Sequence, residues 1–448
     1  MAEPGKKLLG FWMTLALVIG NFIGSGIFLL PAQLAPYGWN ALLGWILTIA
    51  GALCLAFVFA RLTRSLPLTA GPYAFVEKAF GRLPGFLVAW GYWIALWVGN
   101  TALAVAAVSY LSLFIPALTA TPGLGALAAA GLLWSLTAVN IFSVRLAGSV
   151  QLVTTFLKLL PLLAVIVVAT IVFADGSAPV RTPFRSADLS FTAVSAAAAL
   201  TLWAMLGVEA ASVGSRNVAD PERNVPRATL IGTLVAGIVY ILVSAPVALL
   251  LPVEQAGASN APLADFVAAF WTPGLAALVG LFAAISAIGA LNGWVLLQGE
   301  LPLAMARHGV FPAWLGKLTR RGTPLRAQLL SSTCATVLIA ANSSRTIAGL
   351  FVFMALLATA ATLFLYLGCA LAALVLQRTG EVERSTKLTV LASLGALYAV
   401  WTFSSAGAEA TGWGAVLLAT GLPVYFFMRW RVATRPAAAP AAPPGSSA

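Results

Sequence analysis

Gly20-Asn21-Phe22-Ile23-Gly24-Ser25-Gly26 interrupts an apolar run that opens near residue 11 and continues past Leu30. Its three glycines each cost a helix roughly 1 kcal/mol relative to alanine. In hydrocarbon a freed N–H or C=O costs several kcal/mol, so unwound backbone is tolerated only where it lines a cavity or finds a partner. The segment predicts a helix broken at mid-membrane depth beside a binding cavity. A close-packing face of small residues is the competing reading.

The surrounding composition supplies the membrane. Of 448 residues, 61% are hydrophobic and 8% charged, against about 45–50% apolar and about 25% charged in an ordinary globular chain. A helix crosses the hydrocarbon with about 20 apolar residues. Hydropathy predicts twelve such spans, near 11–35, 39–61, 83–114, 123–143, 148–174, 190–214, 227–251, 271–302, 327–342, 347–377, 387–405 and 411–430. They predict a single all-α, twelve-helix membrane domain over 1–434. The tail from Arg435, RPAAAPAAPPGSSA, reads as a disordered Pro/Ala segment over 435–448. The first apolar run is too long for the core of a removable signal peptide.

Charge tests the spans independently. Of the 25 basic residues, 21 fall in alternate loops on one side, including Lys6, Arg61, Lys78, Arg82, Arg223, Arg307, Arg320, Arg378 and Arg384. The other side holds only Arg181, Arg185 and Arg345, and Lys158 lies inside a span. Such loop-by-loop asymmetry is the positive-inside pattern, which puts both termini in the cytoplasm. The net charge of +12 is therefore topological, and no nucleic-acid partner is expected.

Enzymatic chemistry finds no constellation. Cys54, Cys334 and Cys369 stand singly in apolar stretches, and His308 is the sole histidine, so neither a metal nor another cofactor is expected. No GxxxxGK[ST] phosphate loop occurs, and no charge ring or repeated filter suggests a channel.

A second interruption lies at Trp203-Ala204-Met205-Leu206-Gly207-Val208-Glu209, where a carboxylate sits at membrane depth without Lys or Arg within a helical turn. Paired interruptions in two halves of a transporter point to its substrate site. Unwinding at Gly24–Gly26 exposes N–H groups at the positive end of a half-helix, where a carboxylate binds, and Ser25 adds a hydroxyl. Carbonyls near Ile23 and Trp203 would take an ammonium. Together these groups read as a receptor for an α-amino acid. Trp203 and Trp294, deep in their spans, can stack on a cation, with packing as the alternative. Asn100 can meet a substrate head group or make an interhelical hydrogen bond. Lys158 at depth is either functional or snorkelling.

GNFIGSGIFLLPAQLA (20–35), PLTAGPYAFVEKAFG (67–81), GYWIALWVGN (91–100), TLWAMLGVEAASV (201–213), NVADPERNVPRAT (217–229) and LNGWVLLQGELPLAMARHGVFP (291–312) occur in that order. The chain resembles the amino acid–polyamine–organocation superfamily, in its basic amino acid/polyamine antiporter branch, over nearly its whole length to about residue 430. The resemblance implies a five-plus-five inverted repeat, LeuT-like, with discontinuous first and sixth helices. The repeats would cover about 10–174 and 190–377, with two extra helices near 387–430. It further implies a homodimer in a bacterial inner membrane, working by alternating access and exchanging an amino acid such as arginine for its amine, such as agmatine.

Carried over by position, the resemblance gives Asn21, Ile23, Ser25 and Gly26 to the substrate's carboxylate and amine. Trp203 and Leu206 would cover that end, and Ala95, Leu96, Asn100 and Trp294 would surround the distal side chain. Tyr92, Glu209 and Phe364 would form a gating layer, with Glu209 proton-sensitive. Leu96 replaces a cysteine of the arginine/agmatine exchangers, and a serine expected near Leu356 is missing. Lys158 resembles neutral amino-acid members, where a lysine stands in for sodium. It leaves proton-coupled or exchange transport of neutral amino acids as the alternative. The charge reading is checked by a fluorescent reporter fused after Ala448, which should fluoresce, while alkaline phosphatase at the same point should stay inactive.

Overall fold

The computed structural model describes residues 10–66, 72–142, 154, 157–176, 182–209 and 218–433, and among them the regular structure is helical. The first expected span is two helices, α1 (Phe11–Phe22) and α2 (Ser25–Leu34). Long helices follow: α3 (Trp39–Ser65), the short α4 (Pro72–Phe80), α5 (Arg82–Leu111), the single turn α6 (Ala117–Ala120) and α7 (Leu124–Phe142). Lys158 caps α8 (Leu159–Asp175), and α9 (Phe191–Ala204) stops where the second interruption begins.

In the second half come α10 (Pro221–Leu250), the short α11 (Val253–Ala258) and α12 (Pro262–Phe270), then α13 (Pro273–Arg307) and α14 (Leu325–Ala341). The chain closes with α15 (Ile347–Arg378), α16 (Thr386–Ser405), α17 (Ala408–Ala419) and α18 (Gly421–Ala433). Among the described residues, eight helical stretches are long and apolar enough to cross a membrane. Shorter apolar helices occupy four other expected positions, at Phe11–Gly20, Leu159–Asp175, Phe191–Ala204 and Leu325–Ala341. The parts of the fifth and sixth expected spans at 148–153 and 210–214 lie outside the described residues, as does 434–448.

α5 is the axis of the bundle. Its apolar window is 94% buried, whereas that of Ala408–Trp430 is only 11% buried and peripheral. α15 and α13 pack along α5, while α3 packs against α10, α9 and α16. Without a hydrophobic force between helices in lipid, such packing depends on small residues that let backbones approach. Gly51 on α3 receives the Tyr398 ring of α16, whose Cδ1 would lie 2.4 Å from any Cβ there. Gly26 on α2 abuts α9, where a Cβ would come within 2.6 Å of Ala204 Cβ and 2.8 Å of its Cα. Ion pairs Lys78–Glu381 at 2.8 Å and Arg61–Glu383 at 3.5 Å gather the ends of α3, α4 and α15 on one face. Phe311 beyond α13 packs on Phe86, Trp90 and Trp93 of α5, so the Arg82 and Arg307 ends share that face. Arg345–Glu409 closes a separate seam between the α14–α15 loop and α17.

Gly26→Val should lower stability by about 1–3 kcal/mol through overpacking against backbone, read as an earlier loss of the monodisperse peak on heating in detergent. Gly131→Ala, where a Cβ meets nothing within 4 Å, should leave that temperature unchanged or raised.

Candidate substrate site

The two interruptions meet. α1 ends at Phe22, the Ile23 N–H still reaches Ile19 O at 3.0 Å, and the Gly24 N–H turns back to Phe22 O at 2.7 Å. Gly24 takes an extended conformation (φ −121°, ψ −148°), and α2 starts one residue later with no side-chain cap. The break is therefore narrower than the Gly24–Gly26 unwinding read from sequence, because Ser25 and Gly26 are already helical. At the other interruption α9 gives way after Ala204, with turn bonds from Met205 N to Leu202 O at 2.9 Å and from Leu206 N to Trp203 O at 3.3 Å. Gly207 has φ +107°, a region closed to most side chains, which carries the chain on to Glu209.

Two side chains from elsewhere answer the freed carbonyls. Tyr240 of α10, fully buried, donates its hydroxyl to Phe22 O, and Ala204 O lies 3.1 Å from the same oxygen. One phenol thus ties the ends of both broken helices. The Lys158 ammonium, also buried, donates to Gly20 O, the last turn of α1. It points inward rather than snorkelling. Tyr110 of α5 donates to Phe28 O of α2 at 2.7 Å.

Between the broken ends lies a cavity lined by Phe22, Gly24, Gly26, Leu103, Trp203, Ala204, Leu206 and Trp294. Its volume of about 10 Å³ holds one water, so an amino acid enters only if the lining moves. The filling groups are the Trp203 and Trp294 rings, 5.9 Å apart and inclined at 50°. Gly99 seats both: a Cβ there would lie 2.8 Å from Trp294 Cζ3 and 3.1 Å from Trp203 Cη2.

Expected site residues separate into groups. Gly26, Trp203, Leu206 and Trp294 line the cavity. Ile23 is buried in the adjoining core, and so are Ala95 and Leu96 on α5. Asn21 and Ser25 sit at the two sides of the break, but their side chains lie outside the described residues. Asn100 is fully buried and donates through Nδ2 to Gln298 Oε1 at 2.7 Å. Gln298, one turn along α13 from Trp294, donates in turn to Ser332 Oγ at 2.9 Å, which lies 2.8 Å from Thr137 Oγ1. Asn100 Oδ1 has no hydrogen-bond partner among the described residues.

Glu209 is clamped. Tyr92 of α5 donates to its Oε1 and Tyr366 of α15 to its Oε2, each at 2.7 Å, and the Gly207 N–H donates to the Tyr366 oxygen at 3.2 Å. Phe364 is not part of this layer. It is half-buried with its ring 5.2 Å from Phe403 of α16. Two residues on a helix turn the side chain through about 200°, so Tyr366 faces the carboxylate and Phe364 faces away. Sequence reasoning misses Tyr240, Tyr366, Gln298 and Gly99; a hydroxyl or amide inside an apolar span is the one visible signal for the first three, and Gly99 offers none. No group of three or more His, Cys, Asp or Glu that could hold a metal occurs among the described residues.

Comparison with known proteins places the chain among solute carriers. The sequence profile of the family described as "Amino acid permease" matches residues 9–429. A Bacillus subtilis (strain 168) protein, provisionally named an arginine/ornithine antiporter, is 33% identical over 95% of this chain and 98% of its own length. The cadaverine/lysine antiporter of Escherichia coli (strain K12) is 35% identical over 74% of each chain. A putrescine transporter of the same strain is 27% identical over 95% of this chain and 97% of its own. Broken helices meeting at an aromatic cavity, within a chain this similar to solute carriers, describe a transporter and not an enzyme. The chain belongs to the amino acid permease family, within the amino acid–polyamine–organocation superfamily and among its basic amino acid and polyamine members.

Proposed function

We propose that the protein is an antiporter that exchanges an amino acid with a cationic side chain for the corresponding decarboxylated amine. The observation that carries this reading is the cavity where two interrupted helices meet under a tryptophan pair. The names of the relatives, exchangers of arginine for ornithine and of lysine for cadaverine, support the substrate class. Arginine with agmatine is one pair this chemistry accommodates.

The uncapped N-terminus of α2 receives the substrate carboxylate, because its free N–H groups carry the positive end of the helix dipole. Trp203 covers that end, and Trp294 lies along the aliphatic stem. The unpartnered Asn100 Oδ1 accepts from the distal cation. The amine counter-substrate lacks the carboxylate, so its hold is weaker at α2 and unchanged at Asn100. Twelve spans, two inverted five-helix repeats and two further helices, working as a homodimer with cytoplasmic termini, give the site access to each face in turn. The solute gradients drive the exchange.

Glu209 makes the rate depend on pH. As a carboxylate it accepts from two phenols on two helices, and protonation turns one of its acceptor oxygens into a donor, so the clamp loses a bond. The group is bonded most fully when ionised, so raising pH holds the layer shut and lowering pH frees it. Lys158 holds the end of α1 through its ammonium on Gly20 O, which suits exchange that needs no sodium. The same contact keeps the neutral amino-acid reading in view.

In proteoliposomes, arginine, ornithine, lysine, agmatine and cadaverine should compete with labelled arginine, while leucine and alanine should not. Competition by the neutral pair alone would transfer the assignment to neutral amino acids. Wild-type exchange should quicken as pH falls, whereas Glu209→Gln should run at a flat rate across the same range. An unchanged pH profile in that variant removes Glu209 as the sensor. Trp294→Ala should raise KM for arginine roughly 30-fold, for loss of about 2 kcal/mol of desolvated cation–π contact. Replacing sodium by choline should leave wild-type flux unaltered, and sodium-dependent flux would contradict the role given to Lys158.

A further inference from the structure

The loop between α15 and α16 is built around a buried amide. Gln377, only 4% exposed, accepts the Ser385 N–H at 2.9 Å through Oε1 and donates to Ala373 O at 3.2 Å. Arg384 Nε donates to the Gln377 carbonyl at 3.4 Å. Residues 379–385 are thereby held against the helix ends, and a groove of about 350 Å³ opens between them. Arg378, Arg384, Ser385, Thr386 and Thr389 supply its polar lining and Leu374 its floor.

The charges around this groove do not cancel within it. The two acids of the loop are engaged by other elements, Glu381 by Lys78 at 2.8 Å and Glu383 by Arg61 at 3.5 Å. Lys387 lies 5.0 Å over the Phe57 ring. Arg378 and Arg384 form no ion pair among the described residues. Two guanidiniums beside hydroxyls and the start of a 20-residue helix present the fork geometry that phosphate oxygens accept. Both framing helices are long and apolar enough to span the bilayer, so their joined ends lie at headgroup depth. Below the groove the same helices expose Leu371, Val390 and Leu394, 40%, 50% and 49% accessible, an apolar surface that a free phosphate cannot use.

We propose that this groove binds the phosphate of an anionic phospholipid, with its acyl chains lying along Leu371, Val390 and Leu394. Zwitterionic lipids are disfavoured, because their own ammonium repels the uncompensated arginines. The site is separate from the substrate cavity and independent of which solute is carried.

The test is native mass spectrometry of the full-length protein in detergent, titrated with phosphatidylglycerol, with phosphatidylcholine, or with inorganic phosphate. The wild type should keep phosphatidylglycerol adducts to higher activation energy than phosphatidylcholine adducts; equal retention of the two overturns the proposal. Arg378→Gln with Arg384→Gln should weaken phosphatidylglycerol binding roughly 25-fold, each basic residue at headgroup depth contributing about a factor of five. The exposed pair Lys317→Gln with Arg320→Gln removes the same charge elsewhere and should leave binding within twofold of wild type. If both double variants weaken it equally, the effect is overall charge and the groove is not the site. Inorganic phosphate should not displace the lipid; displacement at matched concentration would make the ligand a soluble phosphate and overturn the lipid assignment. Unchanged elution volume of both variants, with the exposed positions of all four residues, separates loss of binding from loss of fold.

Discussion

A helix cannot be broken in hydrocarbon unless each freed carbonyl is answered, and here the answers come from two buried side chains. Tyr240 takes Phe22 O and reaches Ala204 O, and Lys158 takes Gly20 O. Without them Gly20 O and Ala204 O would lose these donors and Phe22 O would keep only the Gly24 N–H, and a carbonyl left unpaired in hydrocarbon costs several kcal/mol. Because one phenol serves both breaks, the two interruptions behave as a single unit. Gly26 completes it by letting α2 touch the backbone of α9 at Ala204. Any displacement of one half-helix is therefore felt by the other.

The cavity inherits its character from that unit. Its lining side chains are apolar and aromatic, the Trp203 and Trp294 indoles among them. Gly99 is the reason they can both lie over α5. Two separate sets of buried polar groups lie outside the cavity lining. One is the Asn100–Gln298–Ser332–Thr137 chain linking α5, α13, α14 and α7. The other is the Glu209 clamp, which joins α5, α15 and the segment after α9. Hydrogen bonds to a charged group contribute about 1.5–3 kcal/mol each, so two phenols on one carboxylate tie these three segments firmly.

Charge shapes the outside as hydrogen bonds shape the inside. The loops rich in Lys and Arg are tied together by Lys78–Glu381 and Arg61–Glu383, and the aromatic cluster around Phe311 closes the same face. These pairs are surface contacts of small individual worth. Their consequence is positional: they consume the loop's acids and leave Arg378 and Arg384 uncompensated.

The sequence alone determined that the chain is helical and membrane-bound, where its helices lie, and which two must break. Those are local properties: a run of apolar residues long enough for the bilayer, an alternation of basic loops, and glycines too dense for a helix. Gly26, Trp203, Leu206 and Trp294, which the family resemblance gives to the substrate, line the cavity between the broken ends. Tertiary structure decided the partners. Tyr92, Glu209 and Tyr366 are more than a hundred residues apart in the chain, and no local pattern encodes their meeting. The family resemblance puts Phe364 in the gating layer, whereas Tyr366 meets Glu209 and Phe364 meets Phe403, because the rotation of α15 about its axis sets which of the two faces inward. The narrowness of the break, the seat at Gly99 and the Tyr240 bridge depend likewise on how closely separate helices pack, which backbone contact settles and linear sequence does not.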